Sequence, residues 1–264
     1  MNTPEHIRSH KNKPLVCLTA YTTPMAKILD KHCDVLLVGD SVGTVLYGME
    51  NTLGVTLEMM IEHGKAVMRS QPSACVIVDM PYGTYEDSPD QALKNATLIL
   101  KETSCAGVKL EGGVEMAKTI AHLIGSNIPV MGHIGLQPQS VVIEGGYKIK
   151  GRTNAEISKL LDDAKAVEEA GAFSVVIEGT IENVARNITE ILNIPTIGIG
   201  ASSACDGQIL VTHDMLGLIT DHVPKFVKKY ADLATEIDKA VENYAQDVNS
   251  RAFPEEKHIY KGQS

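Results

Sequence analysis

The sequence has no tryptophan, and aromatic residues make up only 4% of it. Its core must therefore be mainly aliphatic, which suits Val, Ile and Leu filling a barrel better than a stacking platform for nucleic-acid bases. A surplus of positive charge is also missing, with 24 Lys and Arg against 33 Asp and Glu and a formal charge of -9 at pH 7. That balance disfavours binding to phosphate backbones, so no nucleic-acid partner is expected. An anionic small substrate is still allowed, because a metal ion or a Lys can reverse the sign inside one pocket. No apolar run reaches the ~18 residues of a membrane span. Residues 1–14 carry His, Lys and Glu and lack the apolar stretch of a signal peptide. No membrane partner is expected, and cytoplasm is the default location. Cys17, Cys33, Cys75, Cys105 and Cys205 are scattered, odd in number and without a C-x-x-C pair. They read as reduced packing thiols rather than a disulfide framework. Neither a P-loop nor a G-x-G-x-x-G fingerprint is present, and no internal repeat or linker divides the chain.

What is present is a recurring alternation. At 264 residues the chain suits one α/β barrel, which typically takes ~250 residues. Such a core needs no disulfide or structural metal to hold it. Apolar runs predict strands near Leu15–Thr19, Val35–Gly39, Cys75–Val78, Gly107–Leu110, Pro129–Gly132, Ser174–Ile177, Thr196–Gly198 and Gln208–Thr212. Helical periodicity predicts helices over Thr56–Ser70, Pro89–Glu102 with Ser88 as N-cap, Glu115–Ile124 ending at Gly125, Asn154–Ala170 ending at Gly171, and Ile181–Leu192. Strand and helix alternate about eight times, which predicts a closed parallel (β/α)8 TIM barrel in one domain over 1–264. The stretch Gly207–Thr212 also reads as the start of a helix. A further acidic, amphipathic helix is expected at about Tyr230–Ser250, beyond the barrel. The Gly-rich segment Gln137–Arg152 has no periodicity, and a loop of that length in a compact domain is a candidate lid.

The chemistry gathers at the strand ends. Val35–Gly39 runs into Asp40 and Ser41, Val76–Val78 into Asp79, and Val108–Leu110 carries Lys109 and ends in Glu111. Val130–Gly132 runs into His133, and Val175–Ile177 into Glu178. In a parallel barrel these C-terminal strand ends share one mouth, where the active sites of this fold lie. Ionised carboxylates buried there need a cation or hydrogen bonds. An oxygen-only set of two Asp and one Glu suits Mg²⁺ or Mn²⁺ better than Zn²⁺. Lys109 and Glu111, two apart on one strand, face the same way. Taken singly, each residue has a plainer reading. Asp40-Ser41 could begin a turn, His133 could be a satisfied structural histidine, and Lys109 could be an ordinary ion-pair partner of Glu111.

The motifs also carry a family likeness. Thr19-Ala-Tyr21, Val38-Gly-Asp-Ser41, Asp79-Met-Pro81, Val108-Lys-Leu-Glu-Gly-Gly113, Gly132-His-Ile-Gly-Leu136 and Gly145-Gly-Tyr-Lys148 occur in collinear order. They are joined by Ile177-Glu178, Gly198-Ile-Gly-Ala201, Asp206-Gly-Gln-Ile-Leu-Val211, His213-Asp214 and Pro224-Lys-Phe-Val227. Together they resemble the ketopantoate hydroxymethyltransferase family of the phosphoenolpyruvate/pyruvate barrel superfamily, over about residues 14–256. The resemblance implies a Mg²⁺-dependent enzyme that transfers a hydroxymethyl group from 5,10-methylenetetrahydrofolate to the 2-oxo acid 3-methyl-2-oxobutanoate. The product would be 2-dehydropantoate, formed through a Mg-stabilised enolate in the first committed step toward pantothenate. It further implies metal positions at Asp40, Asp79 and Glu111, oxo-acid contacts at Asp40, Ser41, Asp79 and Lys109, a proton acceptor at Glu178, and a pocket role for His133. A homo-oligomer, decameric in many relatives, is also implied. The chain departs from the family pattern at Thr22, Gly54 and Ser202, none of which is a metal or acid–base position.

Two other readings have discriminating features. A C–C lyase or mutase of the same superfamily would share the carboxylates but use a catalytic Cys in a mobile loop, and Cys205 is the nearest candidate. A catalytically silent scaffold would not need Asp79, Glu111 and Glu178 together.

Overall fold

In the computed structural model, which describes residues 2–142, 145–220 and 223–262, the apolar runs become β1 (Leu15–Thr19), β2 (Val35–Val38), β3 (Cys75–Asp79), β4 (Gly107–Glu111), β5 (Val130–Gly135), β6 (Ser174–Glu178), β7 (Thr196–Ile199) and β8 (Gly207–Leu210). All pair in parallel in sequence order, and β8 closes on β1. The helices are α1 (Pro4–Arg8), α2 (Thr23–Leu29), α3 (Val42–Val45), α4 (Leu57–Met68), α5 (Pro89–Thr103), α6 (Ala117–Gly125), α7 (Asn154–Glu169), α8 (Glu182–Ile191), α9 (Thr212–Met215) and α10 (Leu233–Ser250). This is a (β/α)8 TIM barrel.

Local chemistry sets the helix starts. Ser88 accepts a hydrogen bond from the Gln91 amide ahead of Pro89, and Thr56 accepts one from Met59. Thr153 and Glu156 form a reciprocal capping box at α7. The chain leaves α7 through Gly171, whose φ of +98° is open to glycine at little cost.

Period-two alternation in the strands divides the core into two layers. Leu36, Val38, Val76, Val78, Val108, Leu110, Val130 and Ile134 face the helices. Cys17, Val35, Leu37, Cys75, Ile77, Met131, Val176, Ile197 and Ile209 fill the barrel, together with Ile7 from α1. All five cysteines are buried and free.

The elements depart from expectation in instructive ways. Strand β5 continues past Gly132 to Gly135, because its pairing with β6 persists through Gly135↔Glu178. The Gly207–Thr212 stretch is a strand that runs into the short helix α9. Gly125 is the last helical residue rather than the one after it, and α6 is preceded by a 3-10 turn at Val114–Met116. Helices α2 and α3 were too short to give a periodic signal. Within the expected lid, Pro138–Ser140 forms a 3-10 turn and Lys150 bridges to Thr180. Residues 143 and 144 of that segment lie outside the described residues.

The chain divides into two compact units, Met1–Thr212 and His213–Ser264. The first holds the barrel. The second carries α10, which is exposed from Thr235 onward and shows Ile237, Val241, Tyr244 and Val248 at helical spacing. No helix among the described residues is long and apolar enough to cross a membrane.

The floor of the barrel is tied by Asp206, just before β8. Its carboxylate accepts hydrogen bonds from the backbone amides of Asn12 (2.7 Å) and Thr196 (2.8 Å) and from the Lys11 ammonium (3.0 Å). It thereby joins the N-terminal segment, β7 and β8. We predict that Asp206→Ala destabilises the protein by about 3–5 kcal/mol, because buried donors lose a charged acceptor. Lys11→Met should cost less, since both backbone donors keep theirs. Equal losses of melting temperature in the two variants would contradict this.

Candidate active site at the barrel mouth

Strand parity decides which polar groups enter the barrel. Asp79 continues the inward series Cys75, Ile77; His133 follows Met131; Glu178 follows Val176. On β4 the outward residues are Val108 and Leu110, so Lys109 and Glu111 point inward. Register then pairs them: Asp79 is opposite Lys109, Glu111 opposite His133, and Glu178 opposite Gly135. Gly135 is required at that last pairing. Its φ is +95°, and a Cβ there would lie 2.2 Å from the Glu178 carbonyl oxygen.

The predicted residues of β3–β6 form one contact chain. Lys109 Nζ lies 3.1 Å from Asp79 Oδ1 and 3.2 Å from His133 Nδ1. His133 Nδ1 is also 3.6 Å from Glu111 Oε1, and its Nε2 is 3.2 Å from Glu178 Oε2, without the alignment of a hydrogen bond. Asp40 joins them through its backbone N–H, which donates to Asp79 Oδ2 at 3.0 Å. Ser41 meets the hydroxyl of Tyr21 at 2.7 Å.

Burial dominates the electrostatics. It raises the Asp79 carboxyl to about 7, with Asp40 adding and Lys109 opposing. Glu111 is pushed well above the carboxylate range by burial and then by Asp40. Glu178 rises to about 7 through burial, opposed by Lys109. For Lys109, burial works against the charge, but Asp79, Asp40 and Glu111 overcome it and hold the ammonium above its ordinary value. His133 falls well below its ordinary value through burial and the Lys109 charge, so its ring is neutral near pH 7. With Lys109 donating to Nδ1, the neutral ring carries its proton on Nε2, the nitrogen nearer Glu178. The half-exposed Tyr147 of the expected lid also senses the mouth: burial, Glu178, Asp40 and Glu111 all raise its phenol.

The donor set fits a hard cation. In Asp79 and in Glu111 one oxygen accepts a backbone N–H, from Asp40 and Gln139 respectively. Of the other two oxygens, both buried, Asp79 Oδ1 faces the Lys109 ammonium at 3.1 Å, while Glu111 Oε1 accepts no hydrogen bond. A divalent ion would satisfy Glu111 Oε1. Among the described residues, however, no three His, Cys, Asp or Glu side chains are gathered closely enough to grip an ion. Lys109 supplies the positive charge in this arrangement.

Strand-end reasoning did not single out Gln139, Tyr85 or Met80. The Gln139 side chain donates to Asp40 Oδ2 (2.8 Å) and the Met80 carbonyl (3.0 Å), and it accepts from the Tyr85 hydroxyl (2.6 Å). A polar amide next to Pro138, just beyond a strand end, was the available signal. A separate cleft of ≈ 270 Å³, lined in part by Gln137, Lys150 and Leu160, contains none of the predicted residues.

Residues 2–256 match the family model described as Ketopantoate hydroxymethyltransferase. A 3-methyl-2-oxobutanoate hydroxymethyltransferase of Rhizobium rhizogenes is 59% identical over 98% of this chain and 96% of its own length. Among solved structures, a phosphonopyruvate hydrolase in complex with oxalate and Mg²⁺ superposes with a TM-score of 0.62 at 12% identity, covering 98% of this chain and 94% of that one. A 2,3-dimethylmalate lyase of the PEP mutase/isocitrate lyase superfamily gives a TM-score of 0.62 at 15% identity, covering 98% and 92%. At these identities the two structures show the barrel fold alone.

The raised value at Glu178 has a consequence for stability. Its folded value is about 7, against ~4.3 for a free glutamate. Stability from the protonated group is thus fully present below ~4.3 and is lost as pH rises through the folded value. Gln imitates the protonated form and does not titrate. We predict that the melting temperature of Glu178→Gln, relative to the parent, rises between about pH 5 and about pH 8 in chelator-treated protein. A difference independent of pH would show that Glu178 titrates normally.

Proposed function

The chain belongs to the ketopantoate hydroxymethyltransferase family, and we propose that it transfers a hydroxymethyl group from 5,10-methylenetetrahydrofolate to 3-methyl-2-oxobutanoate, giving 2-dehydropantoate on the route to pantothenate. The enzyme would work in the cytoplasm with Mg²⁺. The observation that carries the mechanism is Glu178: a carboxylate raised to about 7 at the barrel mouth, linked through His133 to Lys109, Asp79 and Glu111.

Asp40, Asp79 and Glu111 would hold the ion. When bound, Mg²⁺ would polarise the keto oxygen of the oxo acid and offset the negative charge that develops there. Every other task falls to this chain's side chains. Lys109 balances the substrate carboxylate, and Ser41 offers it a hydroxyl whose position Tyr21 fixes. Glu178 takes the proton from C3. A base with a value near the working pH combines a useful ionised fraction with enough basicity to accept it. Neutral His133, with the proton on Nε2, lies against Glu178 without adding a competing positive charge. The C3 carbon would then bond to the methylene carbon carried by the folate as both of that carbon's C–N bonds break. Water supplies the hydroxyl, and tetrahydrofolate leaves with its two nitrogens taking the proton from C3 and the second proton of water. The lyase or mutase reading is less favoured, because Cys205 is buried beside Thr189, remote in register from the strand ends that bear the carboxylates.

A homo-oligomer, decameric as in many relatives, also belongs to this reading. The exposed apolar stripe of α10 suits self-association. Removing the chain after about residue 229 should lower the particle mass in sedimentation, and an unchanged mass would assign the contact to another surface.

Proton abstraction can be separated from transfer. In heavy water with Mg²⁺ and no folate, the protein should exchange the C3 hydrogen of 3-methyl-2-oxobutanoate for deuterium, followed by NMR. Glu178→Gln should lose this exchange by roughly 10²-fold or more, the usual scale for a general base, while still binding the oxo acid. Undiminished exchange would move the base elsewhere, with His133 the next group to test.

A further inference from the structure

Gln139 sits in the segment after β5, is 5% exposed, and touches both Asp40 and Glu111. The hydrogen-bond directions around it follow from donor chemistry alone. The Glu111 backbone N–H can only donate, and its partner is the Tyr85 hydroxyl oxygen at 3.2 Å. That oxygen therefore accepts, and the Tyr85 proton is directed to its other neighbour, Gln139 Oε1, at 2.6 Å. With Oε1 turned to Tyr85, the amide nitrogen must face Asp40 Oδ2 at 2.8 Å and the Met80 carbonyl at 3.0 Å, and both of these are acceptors. The opposite amide orientation would set two oxygens against Gln139 Oε1, so the network admits one arrangement. The Gln139 backbone N–H completes the set by donating to Glu111 Oε2 at 3.1 Å.

The pattern at the carboxylates is selective. Gln139 binds Oδ2 of Asp40 by its side chain and Oε2 of Glu111 by its backbone. The Asp40 backbone binds Oδ2 of Asp79. Gln139 thus holds Asp40 and Glu111 by one oxygen each; Glu111 Oε1 is left without a hydrogen bond, and Asp79 Oδ1 faces the Lys109 ammonium. Such anchoring fixes the direction of the second oxygen and removes rotamer freedom that a cation would otherwise have to freeze.

From this we propose that Gln139, oriented by Tyr85, is a positioning residue that aligns the carboxylates of Asp40 and Glu111 for a divalent cation. The proposal rests on the metal reading given above, and it adds a residue of the loop after β5 to the machinery of the strand ends. Loop and ion affinity are thereby coupled: any displacement of Pro138–Ser140 releases two carboxylates at once.

The test is direct titration with Mg²⁺, and separately with Mn²⁺, of the full-length protein without substrates. Gln139→Met keeps the length of the side chain and removes its side-chain hydrogen bonds to Asp40, Met80 and Tyr85, while the backbone N–H to Glu111 stays. It should weaken cation affinity by about 10–100-fold, the usual scale for an outer-shell partner. Tyr85→Phe leaves Gln139 in place but frees its amide to turn, and should weaken affinity in the same direction by less. A residue that served folding alone would lower the melting temperature and leave the affinity of the folded protein unchanged. That result, in either variant that folds, would overturn the proposal. A second readout does not depend on the ion. In chelator-treated parent protein the Glu111 amide should be strongly protected from hydrogen exchange, and Tyr85→Phe should lose that protection. A parent that binds neither cation while Tyr85→Phe loses protection would refute the metal reading and keep the network. Unchanged protection in Tyr85→Phe would refute the network itself.

Discussion

A single buried ammonium makes the mouth of this barrel possible. Lys109 is 5% exposed and faces Asp79 and His133 directly, with Asp40, Glu111 and Glu178 in its field. Burying one carboxylate in a nearly dry site is costly, and burying several together adds repulsion. Lys109 opposes the upward shift of Asp79, Glu111 and Glu178 and depresses His133. Its charge therefore bears on the protonation of the whole cluster, which includes a neutral imidazole at His133 and a Glu178 carboxyl raised to about 7.

That role depends on register more than on side-chain choice. A slip of one residue between β3 and β4 would turn Lys109 and Glu111 outward into the layer now held by Val108 and Leu110. Registers fixed by apolar pairs such as Val78↔Val108 and Val108↔Val130 therefore also fix the electrostatics. The floor has a different use for a buried acid. Asp206 is satisfied by backbone amides, a hydroxyl and Lys11, and it ties strands together. At the mouth, by contrast, Glu111 Oε1 is buried without a hydrogen bond. Stability and chemistry are segregated to opposite ends of the strands, as is general for this fold.

The sequence by itself determined the barrel and the inward acids. Eight apolar runs separated by capped helical stretches leave few other architectures, and period-two alternation is a local rule. It could be followed from Ile77 to Asp79, or from Met131 to His133, without knowing any partner strand. The same local rule faltered where local signals conflict. His133 and the flanking glycines made β5 look finished at Gly132, but pairing with β6 carries it to Gly135.

Only the tertiary structure decided who touches whom. Gln139 lies 99 positions from Asp40, 59 from Met80 and 54 from Tyr85, and its neighbours carry no periodicity that would aim it. Its place follows from barrel closure, which brings the loops after β2, β3, β4 and β5 onto one rim. The pairing of Lys109 with both Asp79 and His133 is of the same kind, since it needs the register on each side of β4. Alternation tells a residue which way to face within its own strand. The group it meets there is set by the closure of the whole sheet, an outcome of all eight strands that no one segment encodes.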